Sequence, residues 1–250
     1  MLMSIRGAAA ATVLSAAFLF AAPAVAEDGG AVPLSVSGNV TLVSDYRFRG
    51  VSLSGGDPAI QGGVTVSHDS GVYAGTWASS IDDGGTDIFG DAEVDLYAGW
   101  SGGIAEGIGL DIGVLYYAYP GNAKGVDAEF FEPYATVSGQ LGPVQAKLGV
   151  NYAWDQKALA GDSLYVHSEL SSGIPTTPVT VSAHLGYTDG SLAPTLLAGT
   201  NDDSALDWSV GASATVLGKL TLGVSYVGVE GPSIDGLTDD TVVFSIGASF

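Results

Sequence analysis

The chain has 250 residues, of which 46% are hydrophobic and only 14% charged, and it contains 37 Gly and no Cys. Its formal net charge of −20 argues against nucleic acid and anionic membrane surfaces as partners. Without Cys, a disulfide framework and a thiolate metal site are excluded.

Residues 1–26 have the pattern of a cleaved export signal. Arg6 supplies the positive charge, residues 8–22 form an apolar run, and Ala24-Val25-Ala26 matches the small-residue cleavage site. The run is shorter than the roughly 18 to 20 residues that a membrane-spanning helix needs. We therefore predict a removed segment, 1–26, and one folded domain, 27–250. Cleavage removes one Arg, so the mature net charge is −21.

Apolar and polar residues alternate along the mature chain with the period of a β-strand. Between Val36 and Gly50, apolar side chains such as Leu42 share one face, and Asp45, Arg47 and Arg49 share the other. Eleven later segments read similarly. The predicted strands are 36–50, 59–68, 72–81, 91–102, 108–119, 129–140, 144–154, 163–170, 179–187, 206–216, 220–228 and 241–250. The third and sixth of them, near Trp77 and Pro133, alternate poorly.

The strands are about ten residues long, which is the transmembrane strand length and about twice the mean for soluble proteins. Long links rich in Gly and Asp alternate with tight ones, although links 103–107 and 171–178 fit the tight side less well. This pattern predicts an all-β fold, a transmembrane antiparallel up-and-down β-barrel of about twelve strands. The alternative is a soluble secreted β-sandwich.

The last predicted strand, TVVFSIGASF, places Val242, Phe244, Ile246, Ala248 and Phe250 on one face. An apolar face ending in a terminal Phe is typical of the closing strand of a bacterial outer-membrane barrel. Other aromatic residues lie mostly near strand ends, where the two membrane interfaces would be.

Five segments resemble, in order, a proteobacterial family of small exported porin-like proteins of the TorF type. They are GNVTLVSDYRFRGVSLSGGDPAIQGG, SGVYAGTWASSID, EVDLYAGW, LYYAYPG and VVFSIGASF. The resemblance covers nearly the whole mature chain, and SDYRFRG is its most specific piece. It implies an outer-membrane barrel and brings no catalytic or ligand-binding residues with it.

The face opposite the lipid would line the space inside the barrel. The candidate pore-lining residues on it are Asp45, Arg47, Arg49, Glu93, Asp95, Asp111, Glu132, Lys147, Glu169 and Asp207. Because acidic residues predominate among them, we predict a channel for passive diffusion of small solutes or ions, with a preference for cations. The alternative is a closed structural or adhesion barrel whose lumen is plugged by paired charges and which acts through its acidic loops.

Arg47 and Arg49 allow two interpretations. Unpaired, they would form a basic stripe opposite an acidic wall and could bind a carboxylate or phosphate. Otherwise they would pair with Glu93, Asp95 or Asp45 across the strands.

Acidic pairs fall in three predicted external loops: Asp82-Asp83, Asp202-Asp203 and Asp239-Asp240. Their oxygens could hold Ca²⁺, shared with lipopolysaccharide phosphates. None has the spacing of a known calcium loop, so solvated loops are the alternative.

His167 and His184 fall on the inward face of adjacent predicted strands, together with Ser182 and Glu169. A Ser, His and carboxylate set is conceivable there. Since lipid hydrolases act at the lipid-facing surface, we do not expect catalysis, and we expect no cofactor. His68 lies at a turn and shows no evident partner.

The sequence therefore predicts a protein of the outer membrane of a Gram-negative bacterium with both termini periplasmic. Expected partners are membrane lipid, lipopolysaccharide, small solutes or ions, and the outer-membrane assembly machinery through Phe250. The oligomeric state is left open.

Overall fold

The computed structural model describes residues 33–82, 84 and 89–250, so the predicted signal 1–26 lies outside the described residues. The first seven strands are β1 Leu34–Val43, β2 Arg47–Phe48, β3 Val51–Ser52, β4 Ala59–His68, β5 Val72–Ser80, β6 Ala92–Ala105 and β7 Ile108–Ala118. The others are β8 Phe130–Leu141, β9 Val144–Ala153, β10 Ser163–Gly173, β11 Val179–Gly190, β12 Ser204–Val216, β13 Leu220–Val229 and β14 Thr241–Ser249. One short helix, α1 Pro194–Leu197, lies between β11 and β12.

Apart from β2 and β3, which pair with each other, all of these strands form one closed antiparallel barrel. Each barrel strand pairs with its neighbours in sequence, and β1 closes the barrel against β14 with Asn39 opposite Ser249. The predicted up-and-down barrel and its twelve strands are therefore confirmed, including the poorly alternating strands at Trp77 and Pro133. A sandwich is excluded because a single sheet closes on itself.

The strand period separates two surfaces of the barrel. Apolar side chains such as Leu42, Leu148 and Phe244 stand exposed on the outer face, while polar and aromatic side chains are buried inside. An apolar outer face of this kind is typical of transmembrane barrels, where lipid covers it. Among the described residues, no helix has the length and apolarity needed to cross a bilayer.

The connections differ in length at the two ends of the barrel. One end carries short turns, at 69–71, 106–107, 142–143, 174–178 and 217–219. The two links that fitted poorly in the sequence are short after all, because β6 continues to Ala105 through a register shift and β10 continues to Gly173. Leu34 pairs with His68 and Phe250 bonds to Gly38, so the described start and end of the barrel lie at this short-turn end.

The predicted first strand, 36–50, is wrong in its second half. The barrel strand ends at Val43, and residues 44–58, which we call the inserted segment, carry the hairpin β2–β3. Arg49 and Gly50 form the turn of this hairpin with φ of 50° and 83°. Two successive positive φ values are those of a type I′ turn, which reverses the chain direction. Residues 45–50 therefore do not continue the barrel strand.

Glycines in the wall make room for lumenal rings on neighbouring strands. A Cβ at Gly75 would overlap the Tyr97 hydroxyl, and one at Gly99 would overlap that of Tyr73. Both glycines lie in strands next to the strand that carries the ring. Because the wall has no side chain there, the rings lie against it, which explains part of the high Gly content.

Candidate functional site in the barrel lumen

The lumen holds all of the charged residues that the sequence placed on the inward face. Most are buried: Asp45, Arg47, Arg49, Glu93, Asp95, Glu132, Glu169 and Asp207. Asp111 and Lys147 are partly exposed. Three of them, Asp45, Arg47 and Arg49, are carried by the inserted segment and not by the wall, which corrects their predicted position on a barrel strand.

Arg47 anchors the inserted segment to the loop between β13 and β14. Its Nε donates to Asp45 Oδ2 at 2.5 Å, and its Nη1 donates to the backbone oxygen of Asp239 at 2.8 Å. Its Nη2 reaches Asp239 Oδ1 at 3.1 Å. Asp45 also accepts from the Ser52 hydroxyl at 2.6 Å. Arg47 thus pairs with Asp45, one of its predicted partners, but within the inserted segment and not across barrel strands. The pair closes a network that holds β2, β3 and the loop together.

Arg49 extends from the hairpin turn to the opposite wall. Its Nη2 donates to Glu132 Oε1 at 2.6 Å, and its guanidinium lies 4.2 Å from the centre of the Tyr165 ring. Burial lowers the pKa of Arg49, but Glu132, Tyr117 and Tyr165 together outweigh it and the pKa is raised. Glu132 was not among the predicted partners. Arg49 is therefore fixed between β8 and β10 inside the barrel.

A group of carboxyl and phenol side chains surrounds the inserted segment. Tyr46 donates from its hydroxyl to Glu93 Oε1 at 2.8 Å, and Tyr119 donates to Glu93 Oε2 at 3.1 Å. Burial raises the pKa of the Tyr46 phenol well above its usual value, and the Glu93 charge raises it further. Asp95 is 0% exposed, and neither carboxyl oxygen has a hydrogen-bond partner among the described residues.

Nearer the short-turn end, the lumen is crossed by hydrogen bonds between wall strands. The Tyr73 hydroxyl donates to Asp111 Oδ1 at 2.5 Å and also contacts the Tyr134 hydroxyl. Thr65 and Tyr97 share a hydrogen bond between their hydroxyls. Asp111 thus faces the lumen, but its carboxylate is engaged by the Tyr73 phenol.

The two lumenal histidines lie together, but not with Ser182. Glu169 on β10 stands directly opposite His184 on β11, and the rings of His167 and His184 are 6.0 Å apart between centres. His184 Nε2 lies 3.0 Å from Asp207 Oδ1 and 2.9 Å from the Tyr165 hydroxyl. The Ser–His–carboxylate set allowed by the sequence is therefore not formed, because His184 is engaged by Asp207 and Tyr165.

Sequence reasoning missed the aromatic and loop partners of these charges. Tyr117 and Asn151 both donate to Glu132 Oε2, at 3.0 Å each, and Asp239 binds Arg47. The sequence did carry one signal for the aromatic partners, because Tyr97 and Tyr117 lie on the otherwise polar face of their strands. No local signal linked Asp239 to Arg47, which are far apart in the chain.

The acidic loop pairs behave as separate carboxylates. Asp239 binds Arg47, Asp240 accepts from the Tyr226 hydroxyl at 2.7 Å, and Asp202 Oδ1 accepts from Ser204. Asp83 lies outside the described residues. In the part of the chain that the structure describes, these pairs contribute to no group of three metal-ligating side chains. Calcium binding in the loops stays a prediction.

A family model described as a bacterial protein of unknown function, Gcw_chp, matches residues 27–250. No curated protein matches the sequence significantly. This match does not confirm the TorF-type label. It supports the coarser assignment to a bacterial family of unknown function.

Solved structures of outer-membrane channels share the fold. A NanC porin is 12% identical, with 86% of this chain and 98% of that chain covered and a TM-score of 0.56. A KdgM porin is 7% identical with the same coverages and a TM-score of 0.57, and a KdgM porin has also been solved with disordered oligogalacturonate. An outer membrane channel from Pseudomonas putida F1 is 13% identical, with 90% and 99% covered and a TM-score of 0.54.

Proposed function

Because the chain belongs to the Gcw_chp family of bacterial proteins of unknown function and has the fold of outer-membrane channels, we propose that it is a narrow outer-membrane channel. It would pass small solutes or ions by diffusion, with a preference for cations. Both termini and the short turns would lie on the periplasmic side, since outer-membrane barrels keep short turns there.

The observation that carries this proposal is the polarity of the interior. A closed barrel that served only as a membrane-embedded scaffold would need no charged side chains inside, because burying a charge is costly unless it is paired. Here charged residues line the lumen from Asp239 near the long loops to Asp111 nearer the short turns. Such a lining is typical of barrels that enclose water.

The cation preference follows from the balance of these charges. Arg47 and Arg49 are each bound to carboxylates, so they offer little positive charge to a passing ion. Asp111 is partly exposed in the lumen and is bound by a phenol that carries no charge. Carboxylates facing a pore favour cations. An anionic sugar such as the oligogalacturonate bound by a KdgM porin would be disfavoured by the same lining.

The inserted segment would set the width of the passage. Arg47 ties it to the β13–β14 loop, and Arg49 ties it to Glu132 on β8. A chain segment held on both sides of the lumen obstructs most of the cross-section of a barrel of this size. Only small solutes or ions would pass.

The dense packing of the same region favours a second candidate function. Glu93, Asp95 and Glu132 are almost completely buried, together with Tyr46 and Trp77. If this packing closes the lumen permanently, the protein would be a structural or adhesion barrel that acts through its acidic loops and through contacts with lipopolysaccharide.

Conductance of the refolded chain 27–250 in a planar bilayer under a salt gradient tests the proposal. We expect discrete current steps and a reversal potential that favours cations. Asp111→Asn should reduce the preference, whereas Glu106→Gln, in the short turn after β6, should change it less. A barrel that inserts, shows heat-modifiable gel mobility and stays silent would contradict the channel and support the closed barrel.

A further inference from the structure

The geometry points to a binding site for a divalent transition-metal ion on the lumen wall, formed by His167, Glu169 and His184. One ligand atom from each of these side chains lies within 4.8 Å of the others. Two imidazoles and a carboxylate are the ligands that Zn²⁺ and Cu²⁺ accept, with further positions left to water. The site does not depend on whether the barrel conducts.

The register of two neighbouring strands creates this arrangement. Glu169 and His184 are directly paired between β10 and β11, and His167 lies two residues from Glu169 on the same face. The His167 ring lies against Gly149 of β9, where a Cβ would overlap its Nε2. The three side chains are therefore positioned by the barrel wall, as a preorganised site requires.

The hydrogen bonding of His184 sets its tautomer. Its Nε2 faces Asp207 Oδ1 at 3.0 Å and the Tyr165 hydroxyl at 2.9 Å. Because the carboxylate can only accept and Tyr165 donates its own proton to Asp207, we assign the proton of His184 to Nε2. Nδ1 is then left with a free lone pair, and it has no hydrogen-bond partner among the described residues although the side chain is only 7% exposed. A carboxylate that orients a histidine in this way is the usual support of a metal-binding imidazole.

His167 also offers a ring nitrogen, Nδ1, to an ion. Its Nδ1 is buried without a hydrogen-bond partner and lies 3.9 Å from Glu169 Oε1. That distance is too long for a hydrogen bond but close to what two ligands of one ion can span after a small side-chain rotation. An ion between them would bind both atoms.

Lys147 is the group that opposes the site. Its ammonium lies 3.6 Å from Glu169 Oε2 and competes with a cation for that carboxylate. Its side chain is 22% exposed to the lumen, so it can turn away into water. Glu169 and Asp207 together carry two negative charges, which balance a divalent ion once Lys147 withdraws.

Calorimetric titration of the refolded chain 27–250 in detergent micelles with ZnCl₂ tests the inference. We expect one saturable site that is lost in the double variant His167→Ala/His184→Gln and unchanged in His68→Ala, whose ring lies at the 69–71 turn. Asp207→Asn should weaken binding by about tenfold to a hundredfold, because Asp207 only positions His184. Unaltered binding in the double variant would overturn the site, as would the absence of saturable binding in the unmodified barrel.

Two further measurements keep the inference testable if the histidine variants fail to fold. Lys147→Gln removes the competing ammonium and should tighten Zn²⁺ binding, an effect that a purely structural cluster would not produce. Electron paramagnetic resonance with Cu²⁺ should show hyperfine coupling to imidazole nitrogens. Weaker binding in Lys147→Gln, or a Cu²⁺ spectrum with oxygen ligands alone, would contradict the assignment.

Discussion

Arg49 Nη2 donates to Glu132 Oε1 at 2.6 Å in the interior of the barrel, where both side chains are almost completely buried. The pair joins the tip of the β2–β3 hairpin to β8 on the wall. It anchors the inserted segment to the wall, and Tyr117 and Asn151 also donate hydrogen bonds to Glu132. The stability of the barrel and, in the proposed channel, the width of the passage would therefore depend on the same contact.

Arg49→Met should destabilise the barrel, because it leaves the buried Glu132 carboxylate without its cation. Loss of one member of a buried ion pair costs about 3 to 5 kcal/mol. Urea unfolding in detergent micelles, followed by tryptophan fluorescence, measures the change. Arg49→Met/Glu132→Gln should recover most of the stability. A single variant as stable as the unmodified protein would show that the pair contributes nothing.

Arg47→Gln should loosen the inserted segment without removing its other anchor. The substitution removes the guanidinium that binds Asp45 and Asp239, so the segment can move away from the β13–β14 loop. We expect larger current steps in single-channel recordings. Lys219→Gln is the control, since it removes one cation from the exposed 217–219 turn and should leave the step size nearly unchanged. Equal steps in both variants would argue that the segment does not restrict the passage.

Gly75→Ala should lower the free energy of unfolding by about 1 to 3 kcal/mol, as is typical of overpacking. The added methyl group would overlap the Tyr97 hydroxyl and the backbone oxygen of Val64. Gly173→Ala is the control, because a Cβ at that strand position meets nothing within 4 Å. If both substitutions have the same effect in urea unfolding, the loss comes from the strand backbone and not from the contact with the ring.

Phe250→Ala should reduce the amount of folded barrel in the outer membrane of cells more than it reduces stability after refolding in detergent. The Phe250 backbone bonds to Gly38, and its side chain is largely exposed to lipid, so its contribution to packing is small. Phe244→Ala removes a similarly exposed ring from the same strand. Equal yields of both variants in cells would contradict recognition of Phe250 by the assembly machinery.

The wall of the barrel was predictable because its pattern repeats. Alternation marked ten of the twelve barrel strands clearly and the two near Trp77 and Pro133 only weakly, and β4 begins and ends at the predicted residues, Ala59 and His68. The prediction failed where alternation continues beyond the end of a barrel strand: residues 45–50 keep the strand period but belong to the inserted segment. Arg49-Gly50 is not among the usual sequences of a type I′ turn, so nothing local marked the reversal.

The candidate site was predictable only as a set of residues that share a face. Parity placed His167, Glu169 and His184 inside, but their contacts depend on the register of β10 against β11. The choice of Asp207 over Ser182 as the partner of His184 depends in turn on the register of β11 against β12. These registers follow from pairing around the whole closed sheet, which short-range periodicity does not encode.

In the proposed channel, the inserted segment separates the diameter of the wall from the width of the passage, two properties that are linked in most barrels. Strand number and register give the wall its diameter, whereas residues 44–58 contribute no strand to the wall and, in the proposed channel, would set the free bore. In such a channel, changes in this segment would widen, narrow or recharge the passage while every wall pairing is kept. In evolution and in protein engineering alike, the inserted segment is therefore a part of the chain that can be replaced while the barrel wall is kept.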